Sequence, residues 1–387
     1  MSEAPHPALL PTGMQDLLPP EAEVEAAVVA QLMATLTVHG YERVKPPLVE
    51  FEETLFAGAG AAMANSTFRL MDPVSHRMIG VRADMTPQIA RIAATRLGSA
   101  PRPLRLSYAG QVLRVRGSEI RPERQIGQVG AELIGAAKAA ADVEAIAVAG
   151  AALAALGVPH LTVDITLPTL VPAIAEAYGI GGESAAALRS ALDHKDAAAV
   201  TGLAGKAGKL LERLLLAAGP AAATLAALNR LDLPARASAE RARLGAVLDG
   251  LAAVAPELKV TVDPVENRGF EYHSGISFTF FAGGSATHGP LGELGRGGRY
   301  DAGDRASAEP ATGFTLYTDT ILKALPQAPA PRSVLLPLGV DRGRADALRA
   351  AGWVTVAALE PAGDWRVEAQ RLGCTHVLRG DDPVAVG

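Results

Sequence analysis

Residues 113–132 read LRVRGSEIRPERQIGQVGAE. Two extended runs, Leu104–Tyr108 and Gln111–Arg116, lead into a polar turn at 117–124, and Gln125–Ile134 runs back as a strand. Side chains alternate along a strand, so Gln128, Gly130 and Glu132 share one face, and the glycine leaves a gap on which a ligand can lie. The facing strand brings Arg114 and Arg116 toward the same sheet. The same pattern suits a solvated strand with cross-strand ion pairs, and pattern alone does not choose between them.

Working outward, VRADMTPQIAR (81–91) alternates Arg82, Asp84, Thr86 and Gln88 into a helix that begins near Pro87. A carboxylate there can accept an ammonium group or cap the helix. In RGFEYHSGISFTFF (268–281), Phe270, Tyr272, Ile276, Phe278 and Phe280 make one face and Glu271, His273, Gly275 and Ser277 the other. GELGRGGRYD (292–301) lacks the lysine of a P-loop and the spacing of a dinucleotide fingerprint, so its glycines read as backbone clearance beside a ligand or a strand.

The remaining chain is organised around these stretches. A helix is expected from Glu21 to Val38, a short strand over Glu42–Val49, and a mobile glycine-rich loop over 57–66. Residues 168–256 are Ala/Leu-rich and helical, an insertion without legible chemistry. A helix is expected from about Tyr317, a proline-rich linker over 326–332, and a β-α-β-α-β unit over 333–387.

Bulk properties exclude several classes. At 49% hydrophobic and 20% charged the chain is globular, and its net charge of −5 argues against a nucleic-acid binder. The most apolar helical candidate, Ala145–Leu156, is shorter than the ~20 residues of a membrane span, so no membrane association is expected. Cys374 is the single cysteine, which fits a reducing compartment, the cytoplasm. No paired metal-ligand spacing, nucleophile-base set or cofactor motif is legible, so no metal, cofactor or catalytic residue is expected.

Five separated segments together resemble the histidyl-tRNA synthetase family across most of residues 9–325: LPTGMQDLLPPE (10–21), VRADMT (81–86), 113–132, RGFEYHSG (268–275) and GGRYD (297–301). The resemblance implies an α+β fold, a class II aminoacyl-tRNA synthetase-like core with an antiparallel sheet flanked by helices. It also implies a histidine-binding set of Asp84, Thr86, Arg114, Gln128, Glu132, Arg268, Tyr272 and His273. In it Asp84 and Glu132 hold the ammonium and imidazole, while Arg268 and Gln128 orient the carboxylate.

The departures are concentrated at the nucleotide end. The run GFTLYTDTIL (313–322) has Tyr317 for a glycine and Thr320 for the arginine that clamps a triphosphate, and Arg116 stands for the glutamate that reads adenine. His273 replaces a tyrosine. From Arg332 onward there are seven arginines, no lysine and seven acidic residues, a balance that gives little drive toward RNA. A kept amino-acid end beside a lost nucleotide end is similar to the regulatory-subunit relatives of ATP phosphoribosyltransferase in histidine biosynthesis. That likeness implies a non-catalytic partner of the short-form catalytic chain, self-dimeric within a hetero-oligomer, through which histidine feeds back.

Overall fold

Pro19 and Pro20 precede a helix, Glu21–Val38, whose first turn carries Glu21 and Glu23 where the helix dipole favours acids. Gly40, at φ +83°, takes the left-handed position that ends it. Its buried stripe of Val28, Leu32, Met33 and Leu36 packs against a second helix, Ala139–Ala155, whose alanines 141, 145, 149 and 152 allow close approach. The computed structural model describes residues 9–117, 121–266, 272–283, 292–303, 308–326 and 331–386. The middle of the proline-rich linker, 327–330, lies outside them.

Contacts divide the chain into two units, 1–325 and 326–387. In the first, nine strands among the described residues form one sheet, in the order 42–43, 104–113, 125–134, 309–317, 293–302, 273–282, 161–166, 259–263 and 219–220. The central pairings are antiparallel, as the class II core implies. Their register sets Glu132 opposite Gly313, Gln128 opposite Tyr317, and His273 opposite Tyr300. Strands 161–166 and 259–263 are parallel neighbours, which requires a long crossover; the helices between Leu170 and Val254 supply it.

Asp142, on the helix Ala139–Ala155, ties this helix to the sheet. Its Oδ1 accepts from Arg299 Nε (3.0 Å) and Thr312 Oγ1 (2.8 Å), and its Oδ2 from Arg243 Nη1 (2.9 Å). Arg299 also donates to the carbonyls of Ala136 and Lys138.

Several local expectations are corrected. The expected strand over 42–49 is two pieces separated by Pro46 and Pro47: Glu42–Arg43 joins the large sheet, and Val49–Phe51 joins a small sheet with 68–71 and 78–81. Residues Gly58–Ser66, expected as a mobile loop, form a 3-10 helix held at its end by Thr67 Oγ1 on the Met63 carbonyl (2.8 Å). Leu104–Leu113 is one continuous strand, so Arg114 and Arg116 lie beyond it and are not part of the hairpin face. The strand Glu309–Tyr317 was not expected: buried on both faces from Ala311 on, it shows no polar alternation. The helix expected from about Tyr317 is present as Thr318–Ala324, with Tyr317 at its N-cap.

The second unit is a four-stranded sheet in the order 354–357, 333–336, 376–379, 382–385. Val334 and Leu336 face Leu348 of one helix while Leu335 faces Ala369 of the other, so alternate residues bury into opposite layers. Among the described residues no helix is long and apolar enough to cross a membrane.

Candidate functional site

Asp84 precedes the helix Thr86–Ala94, and both its oxygens are engaged. Oδ1 accepts from the Thr86 amide (2.9 Å) and Oδ2 from Gln128 Nε2 (2.9 Å), while Gln128 Oε1 accepts from the Met85 amide (3.1 Å). The helix's N-cap is Met85 and no side chain caps it, so the capping reading of Asp84 is corrected; the residue lines a cavity. Arg82 and Gln88, the other alternating positions, donate instead to the carbonyls of Pro46 and Pro47.

Glu132 is 1% exposed and stands 2.9 Å from Thr86 Oγ1, 2.9 Å from the Tyr300 hydroxyl and 3.4 Å from the Tyr108 hydroxyl, all of which donate to it. Across the sheet, a Cβ on Gly313 would lie 1.7 Å from Glu132 Oε2, so only glycine admits the carboxylate there. Burial is the main force on Glu132 and raises its pKa to about 8; the nearby Asp84 adds to this, and the hydroxyl donors oppose it. Burial, and then the charge of Glu132, keep the Tyr300 hydroxyl well above its ordinary range, so it remains a neutral donor.

Five of the eight expected residues, Asp84, Thr86, Glu132, Tyr272 and His273, line a single small cavity. Tyr272 and His273 stack with ring centroids 4.2 Å apart. Gln128 is buried behind Asp84 and positions it instead of lining the cavity. The gap over Gly130 is filled: a Cβ there would meet the Tyr108 hydroxyl at 2.4 Å, so the ligand space lies further along the sheet. Arg114 lines a larger adjoining cavity, with Arg116 and Thr320. Asp84, Tyr272, Arg296 and Tyr317 line both cavities. Arg268 lies outside the described residues.

The residues not expected come from two strands. Arg296, Gly298 and Tyr300 alternate on one face of 293–302, a signal present in GRGGRYD once it is read as a strand. Gly298 gives room to His273, whose Nε2 a Cβ would approach to 2.6 Å. Gly313, Thr315 and Tyr317 follow the same alternation in the strand that was not foreseen. Among the described residues no group of His, Cys, Asp and Glu is placed to hold a metal.

The raised pKa of Glu132 makes stability depend on pH. The folded chain holds the proton more tightly than the unfolded chain does, so the contribution is full below 4.5 and is lost as pH rises through about 8. Urea melts of the ligand-free protein are expected to show stability falling across this interval; Glu132→Gln flattens that part of the profile.

Two carboxylates, five hydroxyls and an arginine around one small cavity suit a small cationic or zwitterionic molecule. The family model for histidyl-tRNA synthetase matches residues 13–321. The ATP phosphoribosyltransferase regulatory subunit of Paramagnetospirillum magneticum is 57% identical over 386 residues, covering 100% of both chains. That of Rhodospirillum centenum is 56% identical, over 97% of this chain and 96% of its own. The crystal structure of an ATP phosphoribosyltransferase regulatory subunit/histidyl-tRNA synthetase from Bacillus halodurans superposes with a TM-score of 0.80 at 25% identity, covering 97% of this chain and 98% of that one. Histidyl-tRNA synthetase from Nostoc shares the fold, with a TM-score of 0.77 at 19% identity over 95% of this chain and 90% of that one. The chain belongs to the ATP phosphoribosyltransferase regulatory subunits, non-catalytic members of the histidyl-tRNA synthetase family.

Proposed function

We propose that the cavity beneath Glu132 receives free histidine and that its occupancy restrains a short-form catalytic ATP phosphoribosyltransferase chain. In this reading the protein is a self-dimer within the hetero-oligomer, in the cytoplasm, and makes the first step of histidine biosynthesis answer to its end product. Asp84 takes the α-ammonium, Glu132 the imidazole and Arg268 the carboxylate, with Gln128 fixing Asp84 from behind. The observation that carries the reading is Glu132: a buried carboxyl held protonated by its surroundings gains most when a basic ring arrives to share that proton. At the nucleotide end the Thr320 hydroxyl is turned to the Tyr317 carbonyl (3.2 Å), which supports binding without activation.

Feedback requires that histidine favour one state of the complex over another, and a coupling of ~1–3 kcal/mol gives a roughly 5–150-fold effect. The test combines this protein with the catalytic chain and measures phosphoribosyl-ATP formation with and without histidine. Activation on mixing and inhibition by histidine are expected, with no histidine-dependent ATP–pyrophosphate exchange by this chain alone. Absence of activation, or a clear exchange signal, overturns the reading.

A further inference from the structure

The order of residues along the sheet sets the direction in which a ligand lies. Glu132 and Thr86 line only the smaller cavity, whereas Asp84, Arg296 and Tyr317 line both. Strand pairing gives the same order: Glu132 stands opposite Gly313, and Gln128, which supports Asp84, stands opposite Tyr317. An amino acid with its imidazole on Glu132 and its ammonium on Asp84 therefore directs its carboxylate toward Tyr317.

Tyr317 is buried and held on several sides. The Arg121 guanidinium lies 4.0 Å from its ring centroid, a cation–π contact. Arg121 in turn donates Nη2 to the Glu293 carbonyl (3.1 Å) and stands 3.8 Å from Asp319. Both side-chain oxygens of Glu293 are bonded to Arg296. The Tyr317 carbonyl accepts from Thr320 Oγ1 (3.2 Å) in the first turn of the helix Thr318–Ala324. A loop, a strand and a helix start thus converge on one aromatic ring, and swinging it aside breaks the stack.

We propose that Tyr317, with Arg121 as its positioning residue, determines specificity at this site by limiting the ligand's length. A free amino acid enters; the same amino acid extended at its carboxyl group, as at the N-terminus of a peptide, does not. The inference rests on the histidine reading, from which it takes the ligand's direction. Exclusion works here by a clash, an unfavourable contact with the wrong ligand that adds nothing to the affinity for the right one. A tyrosine suits the task because its ring is large and turns about only two side-chain torsions, so little freedom is lost in holding it still.

The test is calorimetric titration of the full chain with histidine, histidinamide and the capped dipeptide histidyl-phenylalaninamide as separate probes. Histidinamide loses the carboxylate charge without adding bulk, so comparing the dipeptide with it isolates size. The wild-type chain is expected to bind the dipeptide at least about tenfold more weakly than histidinamide. Tyr317→Ala is expected to bring the two within about threefold, and Tyr317→Phe, which keeps the ring, to preserve the gap. Arg121→Gln leaves the ring but removes its clasp and is expected to narrow the gap; it keeps the test sound if Tyr317→Ala disturbs folding. Equal binding of histidinamide and the dipeptide by the wild-type chain overturns the inference, as does a gap that survives Arg121→Gln and Tyr317→Ala unchanged. If histidine itself does not bind, the histidine reading falls, and this inference with it.

Discussion

Histidine is expected to lose its hold on the assembled complex when Asp84 is replaced by alanine. The substitution removes the carboxylate proposed to pair with the ligand's ammonium group and leaves Gln128 Nε2 without its acceptor. Truncating one partner of a desolvated charge pair costs about 2–5 kcal/mol, which raises Kd at least thirtyfold. The measurement is the histidine concentration that halves phosphoribosyl-ATP formation, alongside gel filtration to show that the complex still assembles. Glu132→Gln is the companion variant: it keeps the shape and removes the titration, so it separates loss of charge from loss of packing. Inhibition unchanged in both variants would place the histidine sensor elsewhere, for instance at a subunit interface.

The second large effect concerns stability. Asp142 is 1% exposed and holds Arg299, itself 5% exposed, together with Arg243 and Thr312. Asp142→Ala leaves a buried guanidinium without its counter-charge and is expected to cost about 3–5 kcal/mol, a large part of a typical domain's ~5–15 kcal/mol. A shift of the urea midpoint reads this directly. Glu176→Ala, which breaks the exposed pair with Arg236, is expected to leave the midpoint nearly unmoved. Arg299 lies on the strand that carries Arg296 and Tyr300, so Asp142→Ala is also expected to loosen the cavity before the chain unfolds.

Much of this was legible in the sequence because the residues concerned alternate within a single strand. Gln125–Ile134 shows its register on its face, and Asp84 and Thr86 are set by two-residue spacing into a helix start. The strand 309–317 was hidden because burial on both faces removes the polar alternation that marks a half-exposed strand, and with it went Gly313, Thr315 and Tyr317. Gln128 shows a different limit. Its place on the Glu132 face was correct, but a strand pattern does not tell whether a side chain meets a ligand or another side chain, and here both ends of the amide are spent on Asp84 and Met85. Arg114 and Arg116 depended on where the strand stops, and Leu113 stops it one residue too soon for the hairpin reading.

Tyr317 borders both cavities, with Arg121 laid over its ring. A catalyst that passes its amino acid to a second substrate needs an open way between the two, and tight ground-state binding does nothing for its turnover. In the proposed reading no chemical step follows binding, so nothing carries the molecule onward. Occupancy then follows concentration and residence time alone, and the protein becomes a gauge of a pool instead of a step in a flow.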